Sequence, residues 1–273
     1  MTADLHTHTT ASDGTMAPEE LVGRAAAAGL QAVGVTDHDS LAGLAAAIAA
    51  GFAAGVEVVP GVELSCAVGR GEVHILGYYP RPTPRLRRLL EELAGSRERR
   101  AREMLDRLAA LGMPLEWESL RAAGSVGRPH VAQALAGAGY VADAAEAFRR
   151  YLGRGGPAWV PRYKLTPAAA VAAVREAGGV AVLAHPGVDG AFRHLGQLVE
   201  AGLQGIEAYH PRHPPRRCAE FDRRGRELGL IITGGSDCHG PGSPEAFVLG
   251  QALAPPEAVE RLQAAADDDK EGM

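Results

Sequence analysis

The feature that most restricts this chain is a recurrence: six short apolar runs end, one after another, in histidine, aspartate or glutamate. Leu5 leads into His6-Thr7-His8 with Asp13 beyond, Val33-Gly34-Val35-Thr36 into Asp37-His38-Asp39, and Val58-Val59-Pro60-Gly61-Val62 into Glu63. Further on, Val182-Leu183-Ala184 leads into His185, Ile206-Glu207-Ala208-Tyr209 into His210, and Ile231-Ile232-Thr233-Gly234-Gly235-Ser236 into Asp237-Cys238-His239, while His74 stands inside another run, Glu72 to Tyr79. Short apolar runs alternating with helical stretches are the βα rhythm of a mostly parallel sheet. In an α/β barrel, residues just past the carboxyl ends of the strands converge on one face. Side chains scattered through the chain would therefore meet in space.

Their chemistry points to metal. Imidazoles supply neutral nitrogen ligands and carboxylates neutralise charge, and a mixed His/Asp/Glu set without thiolate suits zinc, manganese or iron better than magnesium alone. Cations clustered ~3.5–4 Å apart can turn a bridging water into hydroxide and clamp both oxygens of an in-line phosphoryl displacement. Phosphoester hydrolysis is the natural use of such a face. Taken singly, an HxH pair serves as readily as a hydrogen-bonded structural pair, and Asp-x-His after a strand as a helix cap; the joint pattern is what capping leaves unexplained.

Length and composition narrow the class. A chain of 273 residues is long for one compact domain and short for two, which fits a barrel or layered α/β body with an insertion. The 46% apolar and 22% charged residues are ordinary for a globular enzyme and exclude disordered and fibrous chains. There is no apolar run of membrane-spanning length, and Met1-Thr2-Ala3-Asp4 lacks the basic and apolar segments of a signal peptide, so a cytoplasmic protein without a membrane partner is expected. Three scattered cysteines, Cys66, Cys218 and Cys238, offer neither a disulfide framework nor a CxxC zinc knuckle.

The rhythm breaks at Pro80-Arg81-Pro82-Thr83-Pro84 and resumes at Thr166. Residues 1–83 and 166–266 are thus expected to form the barrel, 84–165 a mainly helical insertion, and 267–273 a disordered acidic tail. In the insertion, Leu86, Leu90, Leu93, Met104, Leu108 and Leu111 share one face of a long helix, with a kink expected at Gly95-Ser96. Most arginines between Arg97 and Arg107 read as a solvated face paired with Glu98 and Glu103. Shorter helices are expected over 118–123, 128–136 and 142–152; in the body, helices over 18–28, 40–54, 167–177, 195–201, 214–228 and 256–266. The formal net charge of −5 argues against a nucleic-acid coat protein, but it conceals two unlike parts. Residues 84–165 carry 15 basic and 9 acidic side chains, a net of +6, against 13 and 24 elsewhere, a net of −11.

Asp4-Leu5-His6-Thr7-His8-Thr9 with Ser12-Asp13-Gly14, Gly34-Val35-Thr36-Asp37-His38-Asp39-Ser40, Pro60-Gly61-Val62-Glu63-Leu64-Ser65, Ala184-His185-Pro186 and Gly235-Ser236-Asp237-Cys238-His239 together resemble the successive motifs of the PHP (polymerase and histidinol phosphatase) superfamily. The resemblance spans the whole body and implies a distorted (β/α)7 barrel of TIM-like type with three divalent metals, manganese foremost and iron or zinc as alternatives. It implies that His6, His8, Glu63 and Asp237 hold one metal, that a bridging Glu63 holds a second with His74 and His185, and that Asp13, His38 and His239 hold the third. Gly127-Arg128-Pro129-His130-Val131-Ala132, the segment Tyr151 to Arg162, and Gly205 to His213 resemble the RNase AM and 3′,5′-nucleoside bisphosphate phosphatase branch. That branch implies removal of a 5′-phosphate from 3′,5′-bisphosphonucleotides, or stepwise release of 5′-nucleotides from short RNA.

A multi-anionic substrate needs cationic groups beyond the metals, and the basic insertion can supply them. Arg128 is the first candidate for a phosphate clamp, against a role in capping a helix or pairing with a surface carboxylate. His210 is the candidate to contact phosphate or protonate the leaving oxygen, against a purely hydrogen-bonding histidine; His130, Arg162 and His213 complete the candidate substrate contacts. Asp37 is expected to orient a histidine rather than bind metal. The expected partner is a nucleotide or short oligonucleotide and no long duplex. The competing readings are a phosphatase for a non-nucleotide phosphomonoester such as histidinol phosphate, on the same site, and a non-catalytic metal-stabilised module.

Overall fold

The computed structural model describes residues 1–69, 71–120, 126–161, 165–188, 190–243 and 247–271. The short β-branched runs become strands in the order the chain presents them: β1 (Ala3–Thr7), β2 (Ala32–Val35), β3 (Glu57–Val68), β4 (Gly71–Tyr78), β5 (Val180–Leu183), β6 (Gly205–Tyr209) and β7 (Ile231–Gly234). They form one seven-stranded sheet in sequence order. β1, β2 and β3 pair in parallel, as do β5, β6 and β7, whereas β4 is antiparallel to both its neighbours. The sheet comes back on itself where Asp237 N donates to His6 O (2.8 Å) and His8 N to Cys238 O (3.0 Å). The result is the expected distorted (β/α)7 barrel, nearly closed, its distortion being the hairpin strand β4 in place of a helical crossover.

Nine helices lie among the described residues: α1 (Pro18–Ala27), α2 (Leu44–Ala54), α3 (Pro84–Ala110), α4 (Arg128–Gly137), α5 (Ala144–Ala147), α6 (Pro167–Glu176), α7 (Leu195–Glu200), α8 (Pro215–Glu227) and α9 (Ala258–Glu271). The starts of α3 and α6 follow local chemistry: Thr83 and Thr166 accept from Leu86 N and Ala169 N, and proline takes the first helical position, where its missing N–H costs nothing.

Some expected boundaries shift. α2 starts at Leu44 rather than Ser40, because Ser40 Oγ accepts from Ala42 N and holds that stretch in a turn. The expected helix over 142–152 resolves into α5 and a single π turn, Phe148–Leu152. Trp117–Leu120 forms a 3₁₀ turn, and the rest of the helix expected there lies outside the described residues. α3 runs unbroken through Gly95-Ser96. α9 continues to Glu271 rather than ending at Ala266, since extending a nucleated helix adds one hydrogen bond per residue fixed, and the last two residues of the expected tail lie outside the described residues. None of these helices is long and apolar enough to cross a membrane.

Leu5, Val59, Leu76, Tyr78, Val180 and Val182 cluster with Ala258, Val259 and Leu262 of α9, forming an apolar floor beneath the polar face. α3 serves two cores. Its first half sends Leu86, Leu90 and Leu93 into the cluster shared with β3, β4, α6 and α8, while Ala101, Met104, Leu105 and Leu108 join Val131, Leu135 and Leu152 of the insertion. The buried residue between the two sets is Arg97.

The barrel requires close backbone approach at Gly34, where a Cβ would overlap the Leu5 carbonyl of the neighbouring strand. Gly34→Ala should therefore cost about 3 kcal/mol of stability through forced displacement of β1. Urea unfolding measures it, and an unchanged midpoint would refute the close-packing argument.

Candidate metal centre

The polar face lies where the strand ends meet. His6 lies in β1 and His8 just after it; His38 follows β2, Glu63 and His74 lie within β3 and β4, His185 follows β5, and Asp237 and His239 follow β7. Register slips in β1 between Asp4 and Thr7 and in β6 between Glu207 and Tyr209, and such irregularities re-aim side chains. Three of the four non-glycine residues with left-handed backbone among those described are here: Asp39 (φ +50°), His185 (+24°) and Asp237 (+55°). Strain of this kind persists only where the surroundings enforce it.

The nine residues named as ligands converge. His6 Nε2 lies 3.4 Å from both Glu63 Oε2 and Asp237 Oδ1, and His8 Nε2 3.2 Å from the same two oxygens. Glu63 Oε1 receives His74 Nδ1 at 2.7 Å and His185 Nε2 at 3.2 Å, and Glu63 Oε2 lies 3.0 Å from His38 Nδ1. Asp13 Oδ1 is 3.3 Å from His239 Nε2, and Asp13 Oδ2 is 4.0 Å from His38 Nε2. Three groups have donor atoms mutually close enough to share a cation: His6, His8, Glu63 and Asp237; His8, Asp13, His38 and His239; and His38, Glu63 and His74. The first is the group implied by the sequence. In the second His8 joins the expected three, and in the third His38 takes the place expected of His185.

These side chains fit a metal better than one another. His6 Nε2, His8 Nε2, Asp13 Oδ1 and Glu63 Oε2 are buried and make no hydrogen bond of acceptable angle despite short distances, so they point into shared space rather than at a partner. Buried polar atoms are otherwise nearly always paired.

The electrostatics agree. Burial works against ionised Glu63, but His38, His74 and His6 outweigh it and hold the carboxyl well below its ordinary range. Burial is likewise overcome at Asp13 by His38 and His239, and at Asp237 by His6, His210 and His8. His6 is pushed well above the ordinary imidazole value because Glu207, Glu63 and Asp237 more than offset its burial. At His38 burial wins and lowers the value to about 3, leaving a neutral imidazole with a free lone pair. Three carboxylates held ionised where these imidazoles converge make a pocket suited to a cation, which can take the place of protons on the raised histidines.

An outer layer orients these groups. Glu207 Oε1 accepts from His6 Nδ1 (3.0 Å), and its Oε2 accepts from His185 N (2.7 Å), so one carboxylate sets two ligand positions. Asp37 acts through its neighbours rather than directly on a histidine: it accepts from Thr9 N (2.7 Å), Thr9 Oγ1 (2.7 Å) and Ser12 Oγ (2.6 Å), fixing the loop between His8 and Asp13, and Ser12 Oγ lies 3.5 Å from His8 Nδ1. Glu207→Gln should lower kcat ~10–100-fold with little change in KM, the usual cost of losing a partner behind a metal ligand. Steady-state kinetics decide it; wild-type kcat would remove Glu207 from the site.

The candidate substrate residues divide. Arg128 begins α4 and faces a cavity of about 300 Å³ bounded by Asp13, His38, Glu63 and Asp237 on one side and Arg97, Arg100 and Arg212 on others. Its guanidinium lies 3.5 Å from Glu72 and 5.7 Å above the Phe148 ring. His210 is buried: its Nδ1 accepts from Arg212 N (3.1 Å), which leaves Nε2 as the protonated nitrogen, 3.5 Å from Asp237 Oδ2. It steadies Asp237 and does not line the cavity.

His130 and His213 do not line it either. His130 Nδ1 accepts from Gly127 N (2.9 Å) at the start of α4, and His213 accepts from Gly187 N (3.1 Å) while donating to Ala208 O (3.0 Å). Their ring nitrogens serve the backbone, a use that residue type alone does not reveal. Arg162 lies outside the described residues. Arg97 and Arg100, expected on a solvated face, and Arg212, unassigned from sequence, line the cavity instead; Arg97 is buried, because it falls in the apolar stripe of α3.

A PHP domain model matches residues 4–152, more than half of the chain. The chain belongs to the PHP family. Among curated relatives, a 3′,5′-nucleoside bisphosphate phosphatase of Chromobacterium violaceum is 36% identical over 88% of this chain and 87% of its own length. A phosphoribosyl 1,2-cyclic phosphate 1,2-diphosphodiesterase of Eggerthella lenta is 38% identical over 88% and 95%, and a 5′-3′ exoribonuclease of Haemophilus influenzae is 40% identical over 67% and 68%. A solved structure from Bifidobacterium adolescentis, assigned as a metal-dependent phosphoesterase, superposes with a TM-score of 0.89 at 30% identity, covering 96% of both chains. Over most of its length the chain is thus similar to proteins assigned as phosphatase, phosphodiesterase, exoribonuclease and phosphoesterase.

Proposed function

We propose that this phosphoesterase removes the 5′-phosphate from 3′,5′-bisphosphonucleotides and releases 5′-nucleotides from short RNA, using three divalent cations, manganese foremost, in the cytoplasm. The observation that carries the reading is one cavity with two unlike walls. One wall is the carboxylate and imidazole cluster; the other carries Arg97, Arg100, Arg128 and Arg212 beside Met104, Val126 and Phe148. A substrate with one phosphate to cleave, a second anion to grip and an apolar body suits both walls.

His6, His8, Glu63 and Asp237, then Glu63 with His74 and His185, and Asp13 with His38 and His239, would hold the cations. When bound, such cations polarise a phosphoryl oxygen and acidify water. The protein's own groups do the rest. Arg128 and Arg212 bind phosphate oxygens and fix the ester's orientation, since charged, directional donors discriminate by geometry. Glu207 keeps the His6 ring fixed, and the Nε2–H of His210 holds Asp237 in place. The apolar patch around Phe148 and Val126 excludes water from one side of the cavity.

Phosphate release from adenosine 3′,5′-bisphosphate, short 5′-phosphorylated RNA, histidinol phosphate and phosphoribosyl 1,2-cyclic phosphate tests the reading, the last because the Eggerthella lenta relative is comparably similar. Highest kcat/KM on either nucleotide substrate supports it, and highest on either of the others overturns it. Arg128→Ala should raise KM for the bisphosphate ~10–100-fold, corresponding to about 1.5–3 kcal/mol for a hydrogen bond to a charged group. An equal loss on a monophosphate would show that Arg128 grips the cleaved phosphate rather than the second anion.

A further inference from the structure

We infer that Arg97 is a positioning residue that carries the insertion's long helix into the metal centre and holds His38 for its cation. The inference rests on the reading of His38 as a metal ligand. Arg97 occupies the apolar stripe of α3, between Leu93 and Ala101, where helical periodicity demands burial and a charge is out of place. Its side chain is 7% exposed. Nε donates to Asp39 Oδ2 at 2.6 Å and Nη2 to Ser65 Oγ at 3.1 Å.

Both acceptors lead to His38. Asp39 is the next residue, in left-handed backbone at φ +50°, its N donating to Glu63 O (3.0 Å) and its Oδ1 accepting from Ser65 N (3.2 Å). Ser65 Oγ lies 3.4 Å from His38 Nδ1. One guanidinium thus clamps the strained turn that carries His38 and the hydroxyl beside its ring. Stability alone is a poor reason for the arrangement, because buried ion pairs are often replaced by apolar side chains at no cost. A rigid fork does supply two fixed directions, which is what a ligand on a strained turn requires.

The same residue joins the two cores. The half of α3 before Arg97 packs on the barrel and the half after it packs in the insertion, so Arg97 sits at the junction and also lines the substrate cavity. The position of the insertion over the metal face is coupled through it to His38.

The test uses the full chain with Arg97→Met, Ser65→Ala and His38→Ala, followed by Mn²⁺ titration calorimetry, elemental analysis of bound metal and steady-state kinetics. For Arg97→Met we expect Mn²⁺ affinity at the weakest site to fall ~10–100-fold and kcat to fall in parallel with KM nearly unchanged, as for other groups behind metal ligands. Ser65→Ala, which leaves no buried charge unpaired, should show a smaller loss in the same sense and decides the matter if Arg97→Met does not fold. Wild-type Mn²⁺ binding in Arg97→Met or, failing that, in Ser65→Ala overturns the inference, as does a change confined to KM. His38→Ala separates the two layers: if it binds Mn²⁺ like the wild type, the ligand reading of His38 fails first.

Discussion

Glu63→Gln should reduce turnover by more than about a thousandfold while leaving the barrel folded. A single preorganised electrostatic group is typically worth ~10²–10³ in rate, and Glu63 serves more than one. Its Oε2 lies 3.0–3.4 Å from His6, His8 and His38, and its Oε1 receives His74 and His185. The amide keeps the shape of the carboxylate but removes its charge and turns one acceptor into a donor facing imidazole nitrogens. Metal content should fall with activity. Elemental analysis beside kcat checks this, and a variant that keeps full metal and more than a tenth of wild-type turnover would show that Glu63 is not the shared ligand.

Stripping the metal should abolish activity and reverse the pH dependence of stability in the neutral to alkaline range. In the stripped protein His6 holds its proton well above the ordinary imidazole value, because Glu207, Glu63 and Asp237 surround it. A raised folded-state value means that the folded chain binds more protons than the unfolded one above about pH 6.5; this stabilisation is complete below that pH and is lost as pH rises through the folded value. The depressed values of Glu63, Asp13 and Asp237 act at the acid end, with stability present above the unfolded carboxyl range and lost as pH falls. A bound cation takes the place of the proton, and its affinity increases as the ligands deprotonate. The gap in Tm between Mn²⁺-loaded and chelator-treated protein should therefore widen from pH 6 to pH 9, with about 2.7 kcal/mol of stabilisation at a hundredfold excess of free metal over Kd. A gap that narrows over that range would mean that the imidazole cluster does not bind the cation.

The ligand-type residues were legible because strand periodicity and strand ends leave a one-dimensional trace. A histidine or carboxylate after each apolar run can be read without knowing the neighbours. The arginines were harder. Arg97 looked like one more charge on a helix with Glu98 and Glu103 nearby, and only its place in the Leu86, Leu90, Leu93, Ala101 stripe marked it as buried. Arg212 and Arg100 carry no local signal at all, since their meeting with Arg128 depends on how the insertion and the loop after β6 come together. His130 and His213 show the converse: a histidine beside a turn can spend a ring nitrogen on a backbone group three to five residues away, as both do here.

By itself the sequence determined the barrel class, the metal-binding character of its carboxyl-end face and the existence of a basic insertion, because each is written in periodicity, residue type or charge that survives projection onto a line. Tertiary structure decided which donor atoms lie close enough to share a cation, that Glu207 holds both His6 and His185, and that an arginine from the insertion reaches the turn carrying His38. Those contacts join residues far apart in the chain, and burial, not proximity in sequence, sets the strength of their charges.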